Sequence, residues 1–411
     1  MNMHATTLRI CSIMMVFAFG IVLAIPSRAK AEGSDVNFKT YDGVIISGKY
    51  FQSMKPKESA TIILLHNFTY RKGRDEQGEQ WEKFATDLQA AGHSVLMFDF
   101  RGHGKSVNVD QKFWDYPINK TLPGATKKLS KIGYTEFPAS YYPNLVNDIA
   151  AAKSFLDVRN DDGEANTRNL VVIGAGEGAT LGALWMASEW RRVPSEVIKL
   201  ASPVGIINTR PMQEKMLLKA TPATDPEGAS QLAAIWMSIS PTVAGKSMSQ
   251  LPSWIKDITM ARTRRVQMVF VTNKEDKTSD DFSLKLLKVA LPTFSREKKD
   301  DGKTKTTRKD DQKLTGEFSY LTQKLTGSQL IERSKEDIIK NYLSLVTKKG
   351  DSNMRTHSKT AFDESVSQWF FGPLDKLGNP PVPPTGIGLP AKLPNDKTNV
   401  QILPTGKMGV N

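Results

Sequence analysis

The chain predicts an α/β domain with a mostly parallel central sheet and helices on both faces. Two observations lead there. From Val36 to Val346, apolar runs of strand length alternate with amphipathic segments of helix length, the rhythm of a sheet whose strands are joined by crossover helices. Within it, Asn169–Thr180 (NLVVIGAGEGAT) passes from a buried strand through a glycine-rich turn directly into a helix.

The elements follow in order. Val36–Tyr41 and Val44–Phe51 flank Asp42-Gly43, a hairpin turn. Thr61–Leu65 is a short apolar strand. Trp81, Phe84, Ala85 and Leu88 recur at helical spacing before Gly92 ends the helix. Ser94–Asp99 is the next buried strand. Leu145, Ile149, Ala152 and Leu156 mark a second helix, and Leu170–Ile173 leads into a third over Glu177–Arg192. Ala233–Ile239, Arg265–Val271 and Glu317–Thr322 read as later strands, and Ser334–Val346 as the closing helix.

Several stretches leave this rhythm. Lys105–Pro143, rich in aromatics and prolines, and Pro194–Ser230 read as insertions over a pocket mouth. Residues 298–313 form a charged low-complexity loop. The segment 351–411, Pro/Gly-rich from Gly372, lacks apolar periodicity, so the loop is expected to be disordered and the tail mostly so. At the other end Arg9, the apolar run Ile10–Ile25 and Ala29-Lys30-Ala31 have the layout of a secretory leader cut after Ala31. The alternative is a retained anchor, although the run is shorter than the ~20 residues a span needs. Export to the periplasm, cell envelope or medium is expected, with no transmembrane span after the leader.

Composition narrows the chemistry. The only cysteine, Cys11, lies in the leader, so the mature chain has no disulfide, thiolate nucleophile or cysteine metal site. The few histidines show no metal-ligand spacing, and neither metal nor cofactor is expected. A formal charge of +13 would suit anionic envelope polymers or nucleic acid, but a solvated basic surface is the simpler reading. The lysines are scattered and show no nucleic-acid motif, so no nucleic acid is expected; a small molecule or peptide is the open partner class.

Ile62–Ser106 contains IILLHNF and, at its end, FDFRGHGKS, in which Asp99, Arg101, Gly102, His103, Gly104 and Ser106 match D-x-R-G-H-G-x-S. Gly174-Ala175-Gly176-Glu177-Gly178 has the frame of a nucleophile elbow, G-x-S-x-G. Together these motifs resemble the α/β-hydrolase superfamily of the serine aminopeptidase/lysophospholipase-like type, over roughly Val36 to Val346. The resemblance implies an oxyanion-hole loop at His66, Asn67 and Phe68, with Asn67 where relatives carry Gly. It gives a second oxyanion amide at Glu177 and a structural role to Asp99, Arg101, Gly102, His103 and Gly104 beside the site.

The implied triad is incomplete. Gly176 stands at the nucleophile position and offers no side chain. Asp276, in Val269–Asp276 (VFVTNKED), falls at the acid position and equally suits a loop cap. The base is expected near Thr326–Ser328, where no His stands; His357 lies far beyond in a polar stretch. Ser202, Ser240 and Ser279 lie near candidate site loops without a foreseeable basic partner. Glu177 reads either as an alternative base or as an exposed residue favoured by the helix dipole, His66 as structural and His93 as a surface residue. The expectation is an exported pseudoenzyme that binds or scaffolds, with an ester, peptide or amide hydrolase of atypical site as the alternative.

Overall fold

The computed structural model describes residues 33–40, 42–69, 72–74, 78–167, 169–190, 231–259, 266–296, 315–321, 325–349, 400–402 and 408–410. One eight-stranded sheet organises them: β1 (Ser34–Lys39), β2 (Ile45–Phe51), β3 (Thr61–Leu65), β4 (Ser94–Phe98), β5 (Asn169–Ala175), β6 (Gln231–Met237), β7 (Gln267–Asn273) and β8 (Gly316–Tyr320). Their order is β1-β2-β4-β3-β5-β6-β7-β8, and β2 is antiparallel to both its neighbours while all other pairs are parallel. This is the α/β-hydrolase arrangement that the motifs implied.

Both faces of the sheet are covered, which is why its central strands are apolar almost throughout. Successive side chains alternate between two cores. Ile63, Leu65, Val172, Trp236 and Phe270 join one core with α2 (Val146–Asp161), α3 (Gly176–Trp190), α4 (Leu251–Thr259) and α5 (Lys277–Ala290). Ile62, Leu64, Ile173, Ile235 and Val271 join the other, with α1 (Gly78–Ala90), α6 (Ile331–Glu336) and the π-helical stretch Asp337–Leu343 that links α6 to α7 (Ser344–Lys349).

Element boundaries differ from expectation in instructive places. The strand expected over Ala233–Ile239 ends at Met237 because Ser238 takes a left-handed φ of 42° and leaves the sheet. Helix α4 went unread although Leu251, Trp254, Ile255 and Ile258 place one apolar stripe at helical spacing. The insertion Lys105–Pro143 is ordered as a series of 3₁₀ turns that bury Phe113, Trp114, Tyr116, Phe137, Tyr141 and Tyr142. The segment expected to be a leader, Pro194–Ser230 and the 298–313 segment lie outside the described residues. Val400–Ile402 and Met408–Val410 pair antiparallel; the rest of 351–411 lies outside the described residues. Among the described residues no helix is long and apolar enough to cross a membrane.

One buried cluster fastens the insertion to the sheet. Arg101, fully buried after β4, donates both guanidinium ends to Asp42 (2.7 and 3.0 Å) and its Nε to Asp148 at 2.7 Å. The backbone N–H of Arg101 donates to the other Asp148 oxygen at 2.9 Å. Tyr141 and Asn119 close the network: Arg101 donates to the Tyr141 hydroxyl, which donates to Asn119 Oδ1, and Asn119 Nδ2 donates to Asp42. Burial pulls the Asp42 carboxyl up, but the Arg101 charge and the hydrogen bonds from Arg101, Asn119 and Thr40 outweigh it and hold it below its usual value. Burial pushes the Asp148 carboxyl up to about 6, and Arg101 offsets only part of that. One cation thus serves two carboxylates.

Removing the cation strands both carboxylates in the core. Arg101→Met is expected to cost about 3–5 kcal/mol, while Asp148→Asn, which keeps the Arg101–Asp42 pair, should cost clearly less. Equilibrium denaturation of the two variants checks the order, and equal losses would contradict it.

Candidate functional site

The carboxyl ends of β3, β5, β6 and β7 meet along one rim of the sheet, where α/β folds of this kind place their ligands. In register, Leu65 lies beside Gly174, Ala175 beside Met237, and Met237 beside Val271. The loops leaving these strands carry the positions singled out in the sequence.

The elbow has the expected form. β5 ends at Ala175, α3 begins at Gly176, and Gly176 has φ +53°. A side chain there would be held in a strained conformation, which glycine adopts freely. Gly178 permits a close approach, since a Cβ at that position would lie 2.2 Å from the His66 carbonyl oxygen.

The space in front of Gly176 is taken. A Cβ on Gly176 would lie 2.0 Å from Asn67 Oδ1 and 2.5 Å from Asn67 Cγ. That same oxygen accepts the backbone N–H of Glu177 at 3.1 Å, the amide that the resemblance assigned to the oxyanion hole. On the other side Gly327 (φ +54°) faces the carboxamide nitrogen: a Cβ there would sit 3.2 Å from Asn67 Nδ2. Asn67 therefore lies between the nucleophile position and the Thr326–Ser328 segment. Its hydrogen bond with the Glu177 amide fixes which end of the carboxamide is oxygen.

Glu177 departs from the exposed reading. Its side chain is half-buried and accepts the backbone N–H of Ala244 at 3.0 Å. Ala244 (φ +51°) and Gly245 (φ +75°) form the tip of the hairpin between Thr242–Val243 and Lys246–Ser247. Burial pushes the Glu177 carboxyl up to about 7, with the Ala244 bond pulling the other way. The Ala244 N–H, rather than the helix dipole alone, positions this carboxylate.

Asp276 is the N-cap of α5, accepting the Ser279 N–H at 3.3 Å. Neighbouring Asn273 is buried and ties β7 to the following segment, donating Nδ2 to the Leu325 carbonyl at 3.0 Å. Thr326 begins a capping box with Gln329, and Ser328 accepts the Trp81 indole N–H at 3.0 Å. The segment where a base was expected is thus held by its own backbone caps and by α1.

The remaining positions form the wall behind the site. His66 accepts the Phe100 N–H at Nε2 (3.2 Å) and bonds the Asn67 carbonyl through Nδ1 (2.8 Å), which sets the Nδ1–H tautomer and fixes the loop that carries Asn67. Phe68 is buried and stacks on Tyr142 from the insertion. His103 bonds the Arg101 carbonyl at 3.0 Å and stacks on Tyr134. Asp99 accepts the Lys105 N–H at 3.0 Å, and the intervening Gly102 and Gly104 have φ +75° and +49°. Ser106 accepts the Ser47 N–H on β2.

His93, expected at the surface, is 5% exposed; its Nδ1 accepts the Ala60 N–H, and burial pushes its pKa down to about 4. Ser240 pairs with Thr242 and Ser279 donates to the Ile239 carbonyl. Ser202 and His357 lie outside the described residues. Among the described residues no group of three His, Cys, Asp or Glu gathers as a metal would require.

Sequence reasoning noticed Asn67 as a departure from Gly without seeing what it fills. The signal was the coincidence of a polar side chain at 67 with missing side chains at 176 and 327.

No family model matches the chain, and no curated protein does. Among solved structures, an esterase of Pyrococcus furiosus aligns over 77% of this chain and 91% of its own at 15% identity and a TM-score of 0.40. A dienelactone hydrolase of Anabaena variabilis aligns over 79% and 100% at 11% identity and a TM-score of 0.39. A fungal esterase of Rhizomucor miehei aligns over 77% and 84% at 9% identity and a TM-score of 0.42.

Two outcomes follow from this geometry. Because the folded-state pKa of Glu177, about 7, exceeds the ordinary 4.5, the native protein holds a proton that the unfolded chain has released between those values. Its contribution to stability therefore falls as pH rises through that window. Glu177→Gln, which keeps the acceptor for Ala244, should match the parent melting temperature below about pH 4.5 and exceed it above about pH 7. The second is Gly176→Ser, which must displace the Asn67 carboxamide and places Ser at positive φ, a strain of ~1–3 kcal/mol. It should lower the melting temperature, and adding Asn67→Gly should recover part of the loss.

Proposed function

We propose that this chain is an exported α/β-hydrolase-fold protein without Ser–His–Asp catalysis, acting as a binding or scaffolding pseudoenzyme in the cell envelope or periplasm. The observation that carries this reading is the placement of Asn67. A serine hydrolase needs a nucleophile, a base beside it and a free amide for the developing oxyanion. Here Gly176 and Gly327 flank one carboxamide, which itself occupies the Glu177 N–H. Loss of the hydroxyl alone would leave an empty catalytic frame. A filled frame speaks for a site no longer selected for turnover. Asp276, committed to capping α5, is consistent with this.

The alternative, an ester or amide hydrolase with an atypical site, draws on one observation. Glu177 has a carboxyl raised to about 7 beside the elbow, the range of a general base. In that reading Glu177 would activate water and Asn67 Nδ2 would serve as donor to the oxyanion.

One experiment separates the two. The purified protein is incubated with a fluorophosphonate probe and, in parallel, with chromogenic esters and aminoacyl amides. The pseudoenzyme reading expects neither labelling nor turnover, in the parent or in Gly176→Ser. Stoichiometric labelling of one serine would overturn it. Turnover without labelling that is lost in Glu177→Gln would establish the alternative.

A further inference from the structure

The insertion between β4 and α2 carries a basic surface that the site does not use. From Gln111 to Lys131 there are five lysines, Lys112, Lys120, Lys127, Lys128 and Lys131, against a single carboxylate, Asp115. All five are exposed. Asp115 meets one of them, Lys128, at 3.7 Å, and the nearby Asp110 is engaged by Lys39. Thr126–Lys131 is a run of six exposed residues (TKKLSK) with Leu129 at its centre, 43% exposed and one of three large apolar side chains left in solvent among the described residues.

This knuckle is built rather than loose. The buried Trp114 donates its indole N–H to the Leu129 carbonyl at 2.8 Å, and the Leu129 N–H donates to the Gly124 carbonyl. Lys128 takes a left-handed φ of 46°, which turns the chain sharply at the tip. Beyond it Val109 N–H donates to the Ser130 carbonyl and Ile132 N–H to Val107, so both ends of the run are tied to the strand-like segment after β4. Below, Asn119 and Tyr141 link the same insertion to Arg101. This support holds Leu129 at the surface among the lysines.

We propose that this face docks on an anionic lipid bilayer, with the lysines meeting headgroup phosphates and Leu129 entering the acyl boundary. Charge alone fits any polyanion. The apolar residue in the middle of the lysines selects a surface with an oily layer beneath its charges, since a nucleic acid or acidic polymer offers Leu129 nothing. The aromatic–basic interleaving that stacks on bases is also missing from the exposed run, whose aromatic neighbours Phe113 and Trp114 are buried.

The test is co-sedimentation of the full chain with vesicles of phosphatidylcholine alone or mixed with phosphatidylglycerol, at low and raised salt. Neutral vesicles report any contribution of the apolar leader. Binding should be stronger on the anionic vesicles and weaken with salt. Lys127→Glu/Lys128→Glu/Lys131→Glu should reduce it by about tenfold or more. Leu129→Ser should reduce it several-fold without changing the salt dependence. The control is Lys277→Glu/Lys285→Glu/Lys288→Glu on the exposed side of α5, which changes net charge equally and should bind nearly as the parent does. Equal losses in the two triple variants would overturn the proposal by reducing it to net charge. So would equal binding to neutral and anionic vesicles, or capture by heparin or DNA without capture by vesicles. Circular dichroism of the variants confirms that each is folded; all substituted side chains are solvent-exposed.

Discussion

The Arg101 guanidinium is the point on which the upper half of this molecule depends. It reaches the turn between β1 and β2 through Asp42, the first turn of α2 through Asp148 and the insertion through Tyr141. No apolar contact could specify three partners at once with the same directionality, because hydrogen-bond geometry fixes each one. The price is a buried excess of negative charge, reflected in the raised Asp148 carboxyl. With the insertion so anchored, Tyr134 stacks on His103 and Tyr142 on Phe68, and the loop carrying His66 and Asn67 has a rigid back wall. The position of one carboxamide in the site thus rests on a charge cluster in a different layer of the fold.

Asn67 converts that rigidity into a closed geometry. Its backbone carbonyl is held by His66 and its side-chain oxygen by the Glu177 amide. The side chain satisfies a donor at a helix N-terminus that would otherwise seek an anion or water. Glu177 turns away from it to hold the Ala244 hairpin tip. Two loops are therefore stapled to the first turn of α3, one through its backbone and one through its side chain.

Much of the fold was legible because its signals are local or periodic. The apolar runs of β3, β5 and β7, the Trp81/Phe84/Ala85/Leu88 stripe and the glycine-rich turn at Gly176 announce themselves within short windows. Failures came where a distant partner decides. Ser238 reads as strand by composition, yet its left-handed φ ends β6. His93 reads as a turn residue, yet the Ala60 N–H draws it inward. Asp42 looks like a turn former, and its larger role as a partner of Arg101, 59 residues away, has no local trace. In the site, the missing side chains at Gly176 and near Thr326–Ser328 could be read directly. What fills the gap could not, because Asn67 meets Glu177 from 110 residues away and Gly327 from farther still, and neither approach leaves a local trace.

The two glycines and one asparagine also constrain the paths open to mutation. A serine at 176 meets Asn67 Oδ1, and any larger side chain at 327 closes on Asn67 Nδ2. A glycine at 67 clears both clashes and leaves the Glu177 amide without its acceptor. Each single step toward a working triad is therefore unfavourable in this background, although the steps relieve one another when combined. The residues are coupled by sign, so the order of substitution matters more than their number. Under selection for stability the present set of three residues is therefore kept together, and random single changes at these positions do not separate it.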